Sequence, residues 1–200
     1  MAQYDRKDHF YRQAKVAGLA SRATFKLDEL SQKFRLLRPG MRVLDLGCAP
    51  GGWLQTIARA VGPSGRVVGV DLEPIMITLP STVVTLQADI EALTENPAPL
   101  IEALGGPADI VLSDLAPHTT GVKFSDAYHS YALASAAWTI AQAVLRPEGN
   151  FAVKIFEGPD VAQLRKVLAN AFQRATNHIP AATRTGSREQ YLVGLGYQKK

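Results

Sequence analysis

The sequence predicts an α/β fold in which a mostly parallel β-sheet is covered by helices on both faces. Three observations support this prediction: short apolar runs alternate with stretches of helical periodicity, a glycine-rich turn directly follows the first apolar run, and acidic residues stand at the ends of successive runs. Sheets of this kind bind ligands beyond the carboxyl ends of their strands. We therefore expect the functional site at that edge.

The first half of the chain contains two predicted helices and three predicted strands. The first helix covers 21–34, because an apolar stripe runs along it and a serine can cap its start. The first strand is the apolar run 43–46, and a glycine-rich turn ends it. A helix with apolar positions at i, i+3, i+4 and i+7 follows, to about residue 60. Gly and Pro residues then separate it from two further apolar runs, the strands 66–71 and 83–86.

The second half continues the alternation. An irregular helix is predicted at 91–107, with two prolines near its start and two glycines towards its end. The stretch 109–117 is predicted to be a fully buried strand with a polar end, and a long Ala-rich helix covers roughly 126–145. The remaining elements are a strand at 151–156, a helix at 160–175 and a last strand at 191–195. No repeat or low-complexity tract interrupts this order, so we expect one domain over residues 1–200.

Composition restricts the class of protein. Two hundred residues with 46% hydrophobic and 20% charged side chains suffice for one well-packed globular domain. There is neither an apolar run of about 18 residues nor a signal-peptide pattern, so we expect no membrane contact and no secretion. A single cysteine, Cys48, cannot form an internal disulfide, and the four histidines have no zinc-binding spacing. We expect a cytoplasmic monomer without a metal.

The positive charge is concentrated at the N-terminus. Residues 1–26 carry six basic and two acidic side chains, a net of +4, which equals the net charge of the whole chain. Aromatic residues are interleaved with the basic ones at Tyr4, Phe10, Tyr11 and Phe25. Such a segment can contact phosphates and stack bases, or it can be a solvated amphipathic segment that closes over the core. We predict that residues 1–35 form a basic segment and helix that contact nucleic acid.

The glycine-rich turn after the first strand is typical of a nucleotide-binding loop. A P-loop would need a lysine where Trp53 stands, and the dinucleotide fingerprint fails because three residues separate Gly47 from the next glycine. An acid precedes the loop at Asp45, and a second acid, Asp71, ends the second strand. This pattern resembles the cofactor loop of Rossmann-like S-adenosylmethionine methyltransferases. An ordinary βα turn with a solvated acid is the alternative.

Lys154 is unusual because it lies within an otherwise apolar strand, where a charge is costly unless it is paired. Asp114, at the end of another apolar strand, is the nearest candidate partner. One interpretation is a structural ion pair without a catalytic role. The other is that Lys154 acts as a neutral amine, a form that desolvation and a second nearby cation would favour.

Five stretches, in the same order along nearly the whole chain, resemble the FtsJ/RrmJ family of RNA ribose 2′-O-methyltransferases. They are Ser21 to Leu27, Asp45 to Trp53, Ser113 to Pro117, Val153 to Phe156 and Ser187 to Tyr191. The resemblance implies a class I methyltransferase fold with a mostly parallel seven-stranded sheet. It also implies S-adenosylmethionine as the cofactor and ribosomal RNA as the partner.

The resemblance implies four catalytic residues around the reacting hydroxyl: Lys154, Lys26, Asp114 and Glu189. Lys154 would take the proton of a ribose hydroxyl, and Lys26 would favour the neutral form of Lys154 and steady the developing alkoxide. Asp114 would orient Lys154, and Glu189 would position Lys26. A surface glutamate without a role is the alternative for Glu189.

The resemblance also implies the cofactor contacts. Gly51 and Trp53 would face the methionine half, Asp71 the ribose and Asp89 the adenine amino group, with Asp114 close to the sulfonium. The other residues of the predicted cofactor site are Asp45, Gly47 and Gly52. Trp53 could equally be a core residue at the start of a helix.

From the resemblance we expect methyl transfer to the 2′-OH of a uridine in large-subunit ribosomal RNA. We expect the assembled large subunit to be the substrate, because a positive patch this small should bind naked RNA weakly. A tRNA-anticodon or mRNA-cap 2′-O-methyltransferase is one alternative, and a ribosome-assembly factor with incidental catalysis is another. The basic aromatic N-terminus disfavours a small-molecule methyltransferase. Ala20 and Gly186 stand where the family tends to have arginine, and each removes one possible phosphate contact.

Overall fold

The computed structural model describes residues 16, 18, 20, 21, 23–184 and 186–199. The basic aromatic segment predicted at the N-terminus lies mostly outside the described residues, and Arg22 lies outside them as well. Ser21 Oγ accepts a hydrogen bond from the Ala23 N–H at 3.1 Å, but the helix itself begins at Thr24. None of the described helices is long and apolar enough to cross a membrane.

The described helices and strands alternate along the chain. The helices are α1 (Thr24–Phe34), α2 (Gly52–Val61), α3 (Ile90–Glu95), α4 (Ala98–Leu104), α5 (Lys123–Val144) and α6 (Val161–Ala171). The strands are β1 (Arg42–Leu46), β2 (Arg66–Asp71), β3 (Val83–Gln87), β4 (Ala108–Ser113), β5 (Leu145–Phe156), β6 (Phe172–His178) and β7 (Glu189–Tyr197).

The seven strands form one sheet in the order β3-β2-β1-β4-β5-β7-β6. The pairs from β3 to β5 are parallel, whereas β7 is antiparallel to both of its neighbours, β5 and β6. The predicted mostly parallel seven-stranded sheet is therefore confirmed. Because β1 and β4 are neighbours and parallel, the loops that follow them meet at the same edge.

The sheet is buried on both faces, which explains why its central strands are apolar runs. Side chains alternate between the faces along each strand. In β1, Leu44 and Leu46 face the layer that contains α3, α4, α5 and α6, and Val43 faces the layer that contains α1 and α2. The apolar stripe predicted for the first helix lies in this second layer through Leu27 and Leu30.

The helix predicted over 160–175 is too long. It ends at Ala171, and the chain continues directly into β6, a strand that was not predicted. Phe172 is buried at the start of β6, but Gln173 and Arg174 are exposed because β6 is an edge strand. An edge strand needs no continuous apolar run, and no glycine or proline marks the junction.

Other boundaries also differ from the prediction. The single helix predicted at 91–107 is two helices, broken at Asn96 and Pro97. Proline disfavours helical geometry in the residue before it, and Asn96 accordingly has φ −136°. β5 begins at Leu145, six residues before the predicted strand, because Leu145 pairs with Ala108 ahead of a register shift.

Candidate active site

An open cleft of about 660 Å³ lies beyond the carboxyl ends of the parallel strands. Its volume is in the range expected for a small-molecule or cofactor site. Three acids predicted for the cofactor site line it, namely Asp71, Asp89 and Asp114. The loop after β4 and α5 also line the cleft, including His118 and His129.

Gly47 lets the loop after β1 approach the loop after β4 closely. It has φ 82°, and a Cβ at this position would lie 2.9 Å from the backbone nitrogen of Leu115. The Gly47 N–H donates to the Val70 carbonyl at 2.8 Å, which ties the loop after β1 to β2. Gly47 lines the cleft, whereas Gly51 and Gly52 are buried against neighbouring segments.

Asp71 and Asp89 have carboxylates in the cleft that are fixed by backbone donors. Asp71 Oδ2 accepts from the Ala49 N–H at 2.8 Å, and its Oδ1 accepts from the Glu73 N–H at 3.0 Å. Asp89 caps α3 by accepting from the Glu91 N–H at 2.9 Å. An ionised carboxylate has about four acceptor positions, so both side chains can accept further hydrogen bonds from a ligand.

Two residues of the predicted cofactor site have side chains outside the cleft. Asp45 is fully buried in β1, and neither of its carboxyl oxygens has a hydrogen-bond partner among the described residues. Burial, and secondarily the nearby carboxylates of Asp114 and Asp71, raise the pKa of Asp45 well above its usual value. The Trp53 indole is also buried, and its Nε1 donates to the Ala23 carbonyl at 2.8 Å. This geometry favours the core interpretation of the Trp53 side chain.

The four residues predicted to be catalytic form two ion pairs. Lys154 Nζ lies 3.0 Å from Asp114 Oδ1 and donates to the Asp114 backbone carbonyl at 2.6 Å. Lys26 Nζ lies 2.5 Å from Glu189 Oε1. Lys26 and Lys154 are only 6% and 7% exposed, so each ammonium group is paired where it is largely removed from water.

The register of the sheet places these pairs beside each other. Asp114 directly follows β4, next to β5, which carries Lys154. On the other side of β5, Lys154 is opposite Tyr191 of β7, and Glu189 lies two residues before Tyr191 on the same face. Tyr191 belongs to the core layer of α1, the helix that supplies Lys26.

Sequence reasoning did not identify Tyr191 as a site residue. Its hydroxyl donates to Asp114 Oδ1 at 2.5 Å, and its ring stacks on Trp53 with centroids 6.1 Å apart. Burial, and then the Asp114 carboxylate, raise the pKa of Tyr191 well above its usual value, so it remains a donor. The available signal was its place in β7, two residues after Glu189 and therefore on the same strand face.

The family model described as FtsJ-like methyltransferase matches residues 19–197. The chain belongs to the FtsJ-like methyltransferase family. It is 44% identical over 192 residues to the ribosomal RNA large subunit methyltransferase E of Myxococcus xanthus, covering 96% of this chain and 90% of the relative. The corresponding protein of Desulfatibacillum aliphaticivorans is 42% identical over 188 residues, covering 94% of this chain and 89% of the relative.

The fold of this methyltransferase is shared by a solved relative. A crystal structure of a ribosomal RNA methyltransferase from Plasmodium falciparum matches with a TM-score of 0.78 and 28% identity, covering 89% of this chain and 98% of that one. The family assignment confirms the predicted Rossmann-like fold and S-adenosylmethionine as the cofactor.

The cleft of the methyltransferase suits the chemistry of this cofactor. S-adenosylmethionine presents ribose hydroxyls and an adenine amino group, which are donors, and Asp71 and Asp89 offer acceptors in the cleft. Its sulfonium is a cation, and the Asp114 carboxylate lines the cleft. In the described ranges, no group of three or more His, Cys, Asp and Glu side chains is arranged to hold a metal ion.

Proposed function

We propose that this methyltransferase transfers a methyl group from S-adenosylmethionine to the 2′-OH of a uridine ribose in large-subunit, 23S-type ribosomal RNA. The observation that carries the proposal is the pair of buried lysines, Lys154 and Lys26, each held by a carboxylate next to the cofactor cleft. The ribosomal substrate is supported by the relatives named ribosomal RNA large subunit methyltransferase E, which match this chain over nearly its whole length.

A ribose hydroxyl is a weak nucleophile, so its proton must be removed as the oxygen attacks. Bound S-adenosylmethionine supplies an electrophilic methyl group on its sulfonium. In our proposal Lys154, as the neutral amine, takes the hydroxyl proton. Lys26 supplies a second cation, which disfavours a charge on Lys154 and stabilises the developing alkoxide.

The remaining polar residues hold these two lysines in place. In our proposal Asp114 orients the Lys154 amine through its side chain and its backbone carbonyl. Glu189 fixes Lys26, and Glu189 is itself held by the Thr183 hydroxyl at 3.1 Å. Asp71 and Asp89 would bind the ribose and the adenine of the cofactor, and Asp114 would face its sulfonium.

We propose that the substrate is the assembled large subunit. All of the excess positive charge lies in residues 1–26, and residues 27–200 have no net charge. Phosphate contacts supply most of the affinity of non-specific RNA binding, so a patch this small should hold naked RNA weakly. The surface of an assembled particle would add shape complementarity to the few ionic contacts.

The test is transfer of a labelled methyl group from S-adenosylmethionine to unmodified large subunits, naked ribosomal RNA and tRNA. We expect label at a uridine ribose in the large subunit. Lys154→Arg keeps a cation beside Asp114, but a guanidinium does not give up its proton at physiological pH. We therefore expect this variant to lose roughly 10²–10⁴-fold in kcat, the usual contribution of general acid–base catalysis, with cofactor binding retained.

The matched control is Lys166→Ala, which removes an exposed lysine on α6 and should leave kcat unchanged. Label on tRNA alone would contradict the ribosomal assignment and leave the chemistry intact. Equal labelling of naked and assembled RNA would contradict the assembled substrate. If Lys154→Arg restores large-subunit assembly in cells that lack the enzyme, the assembly-factor alternative is favoured.

A further inference from the structure

Two aromatic side chains at the start of α5 are exposed to solvent. Phe124 is 72% exposed and Tyr128 is 59% exposed, and Val122, directly before the helix, is 61% exposed. Phe124 and Tyr128 are four residues apart on a helix, so their side chains are neighbours on one face. Exposed aromatic surface of this kind is costly in water and is typical of a binding site.

This aromatic surface, formed by Phe124 and Tyr128, lies next to the proposed active site. The Tyr128 ring makes an edge contact with the ring of His129, with centroids 5.7 Å apart, and His129 lines the cofactor cleft. On the other side, Arg188 donates to the Lys123 carbonyl at 2.7 Å. Arg188 directly precedes Glu189, so the start of α5 is fastened to the segment that carries a proposed catalytic residue.

The aromatic surface is also held rigidly. Asp126, inside the first turn of α5, accepts from the Thr120 N–H at 2.7 Å and from the Gly121 N–H at 3.2 Å. One turn later, Ser130 Oγ accepts from the Phe156 N–H at 2.9 Å, which joins α5 to the end of β5. A surface fixed by such bonds loses little entropy when a ligand binds.

We propose that Phe124 and Tyr128 stack an unpaired base of the RNA substrate next to the methylated nucleotide. The inference rests on the proposed function and adds a substrate contact to it. A ribose hydroxyl can reach the recessed Lys154 only if its nucleotide leaves a helical stack, and the neighbouring bases then need a new stacking partner. Lys123 directly precedes Phe124 and Arg188 donates to the Lys123 carbonyl, so two cations near the start of α5 can serve the adjoining phosphates.

The test uses the full chain and a single-stranded oligoribonucleotide that contains 2-aminopurine, whose fluorescence is quenched when it stacks. Stacking needs a flat ring, so Phe124→Leu and Tyr128→Leu remove it and keep an apolar side chain, whereas Phe124→Trp keeps it. We expect the wild type to quench the probe, each leucine variant to bind it roughly tenfold more weakly, and Phe124→Trp to bind it as the wild type does. Val167→Ala, an exposed apolar truncation on α6, is the control and should not change binding.

Leucine variants that bind and quench the probe as the wild type does would overturn the inference. So would a Phe124→Trp variant that binds as weakly as Phe124→Leu, since a flat ring at this position would then not restore binding. This assay needs no methyl transfer. Failure of the wild type to label large subunits would therefore contradict the proposed function, while the quenching result would still decide the stacking surface.

Discussion

At the scale of single residues, burial separates the ionisable groups of the site into paired and unpaired ones. Lys154 and Lys26 are each held by a carboxylate at 3.0 Å or less, so each buried amino group has a polar partner. Asp45 is fully buried and has no hydrogen-bond partner among the described residues. We propose a catalytic role for the paired groups, whereas Asp45 is a site where the fold should respond to pH.

Asp45→Asn should change how stability depends on pH. The folded protein raises the pKa of Asp45, chiefly by burial, so it binds this proton more tightly than the unfolded chain does. The free energy of unfolding should therefore fall as the pH rises above about 4, the usual value for aspartate, towards the folded pKa. At the acidic end, we expect Asp45→Asn to be no more stable than the wild type. As the pH rises, we expect it to become increasingly more stable than the wild type. Thermal unfolding of both proteins between about pH 4 and 8 measures this difference.

An equal pH dependence in the two proteins would show that Asp45 does not hold its proton when folded. Asp109→Asn is a useful control, because the Asp109 carboxylate accepts from the Arg42 N–H and from Arg146. Because that carboxylate has hydrogen-bond donors, its replacement should not produce the same gain in stability at high pH.

Some residues of the candidate site could be predicted from the sequence, and others could not. Burying the charge of a lysine inside an apolar run is costly unless the charge is paired. The sequence alone could therefore predict that Lys154 pairs with Asp114, the acid at the end of another apolar run. The side chains of Asp45 and Trp53 could not be placed, because spacing in a loop does not tell which side of the chain faces a ligand. The role of Tyr191 was missed because a tyrosine in a strand is an ordinary core residue.

At the scale of elements, the start of α5 depends on Asp126. Its carboxylate accepts from the N–H and the hydroxyl of Thr120 and from the Gly121 N–H, and these bonds close the loop that leads from the cleft into the helix. The backbone hydrogen bond from Thr120 is the main reason that the pKa of Asp126 is below its usual value. The loop is therefore fixed by an ionised carboxylate.

Asp126→Ala should destabilise the protein only where Asp126 is ionised. A lowered pKa contributes stability that is present above the unfolded value of about 4 and is lost as the pH falls through the folded pKa. We expect a lower melting temperature than the wild type at neutral pH, and a difference that shrinks as the solution becomes acidic. A melting temperature lowered equally at every pH would indicate a loss of packing instead.

The elements that were predicted well have strong local signals, and the ones predicted poorly do not. The strand predicted over 109–117 contains the apolar residues Ile110, Val111 and Leu112, and its start lies within one residue of the start of β4, whereas its predicted polar end at 114–117 lies beyond Ser113, the last residue of β4. β6 has a single buried residue at its start and lies at the sheet edge, where tertiary pairing with β7 decides its structure. Pairing between distant segments leaves no pattern within β6 itself.

At the scale of the whole molecule, one continuous sheet joins two parts of the site. The parallel strands carry the cofactor cleft at their carboxyl ends, and the antiparallel β7 brings Glu189 to the Lys26 of α1. The proposed reaction needs both parts held in fixed relative positions, because Lys154, the proposed base, and Lys26, the second cation, come from different segments. We therefore expect the sheet to unfold as one cooperative unit.

Trp138→Ala tests this cooperativity. The centroid of the Trp138 ring lies 5.6 Å from the ring centroids of both Phe151 and Phe172 and 5.9 Å from that of Tyr197. Trp138 therefore packs α5 against β5, β6 and β7. Truncating a buried aromatic side chain costs about 3–5 kcal/mol of stability. These four rings form an aromatic cluster in one core layer, and Tyr191 lies in the layer on the other face of the sheet. The folded variant should therefore retain its activity.

The variant also simplifies the measurement. The chain has two tryptophans, so Trp138→Ala leaves Trp53, which stacks on Tyr191 beside the proposed catalytic residues, as the sole tryptophan probe. If the sheet is one cooperative unit, denaturant unfolding followed by Trp53 fluorescence and by far-ultraviolet circular dichroism will give coincident transitions, shifted together to lower denaturant. A fluorescence transition that stays at the wild-type midpoint while the dichroism transition moves would mean that the layer around Trp53 and Tyr191 folds independently of the aromatic cluster.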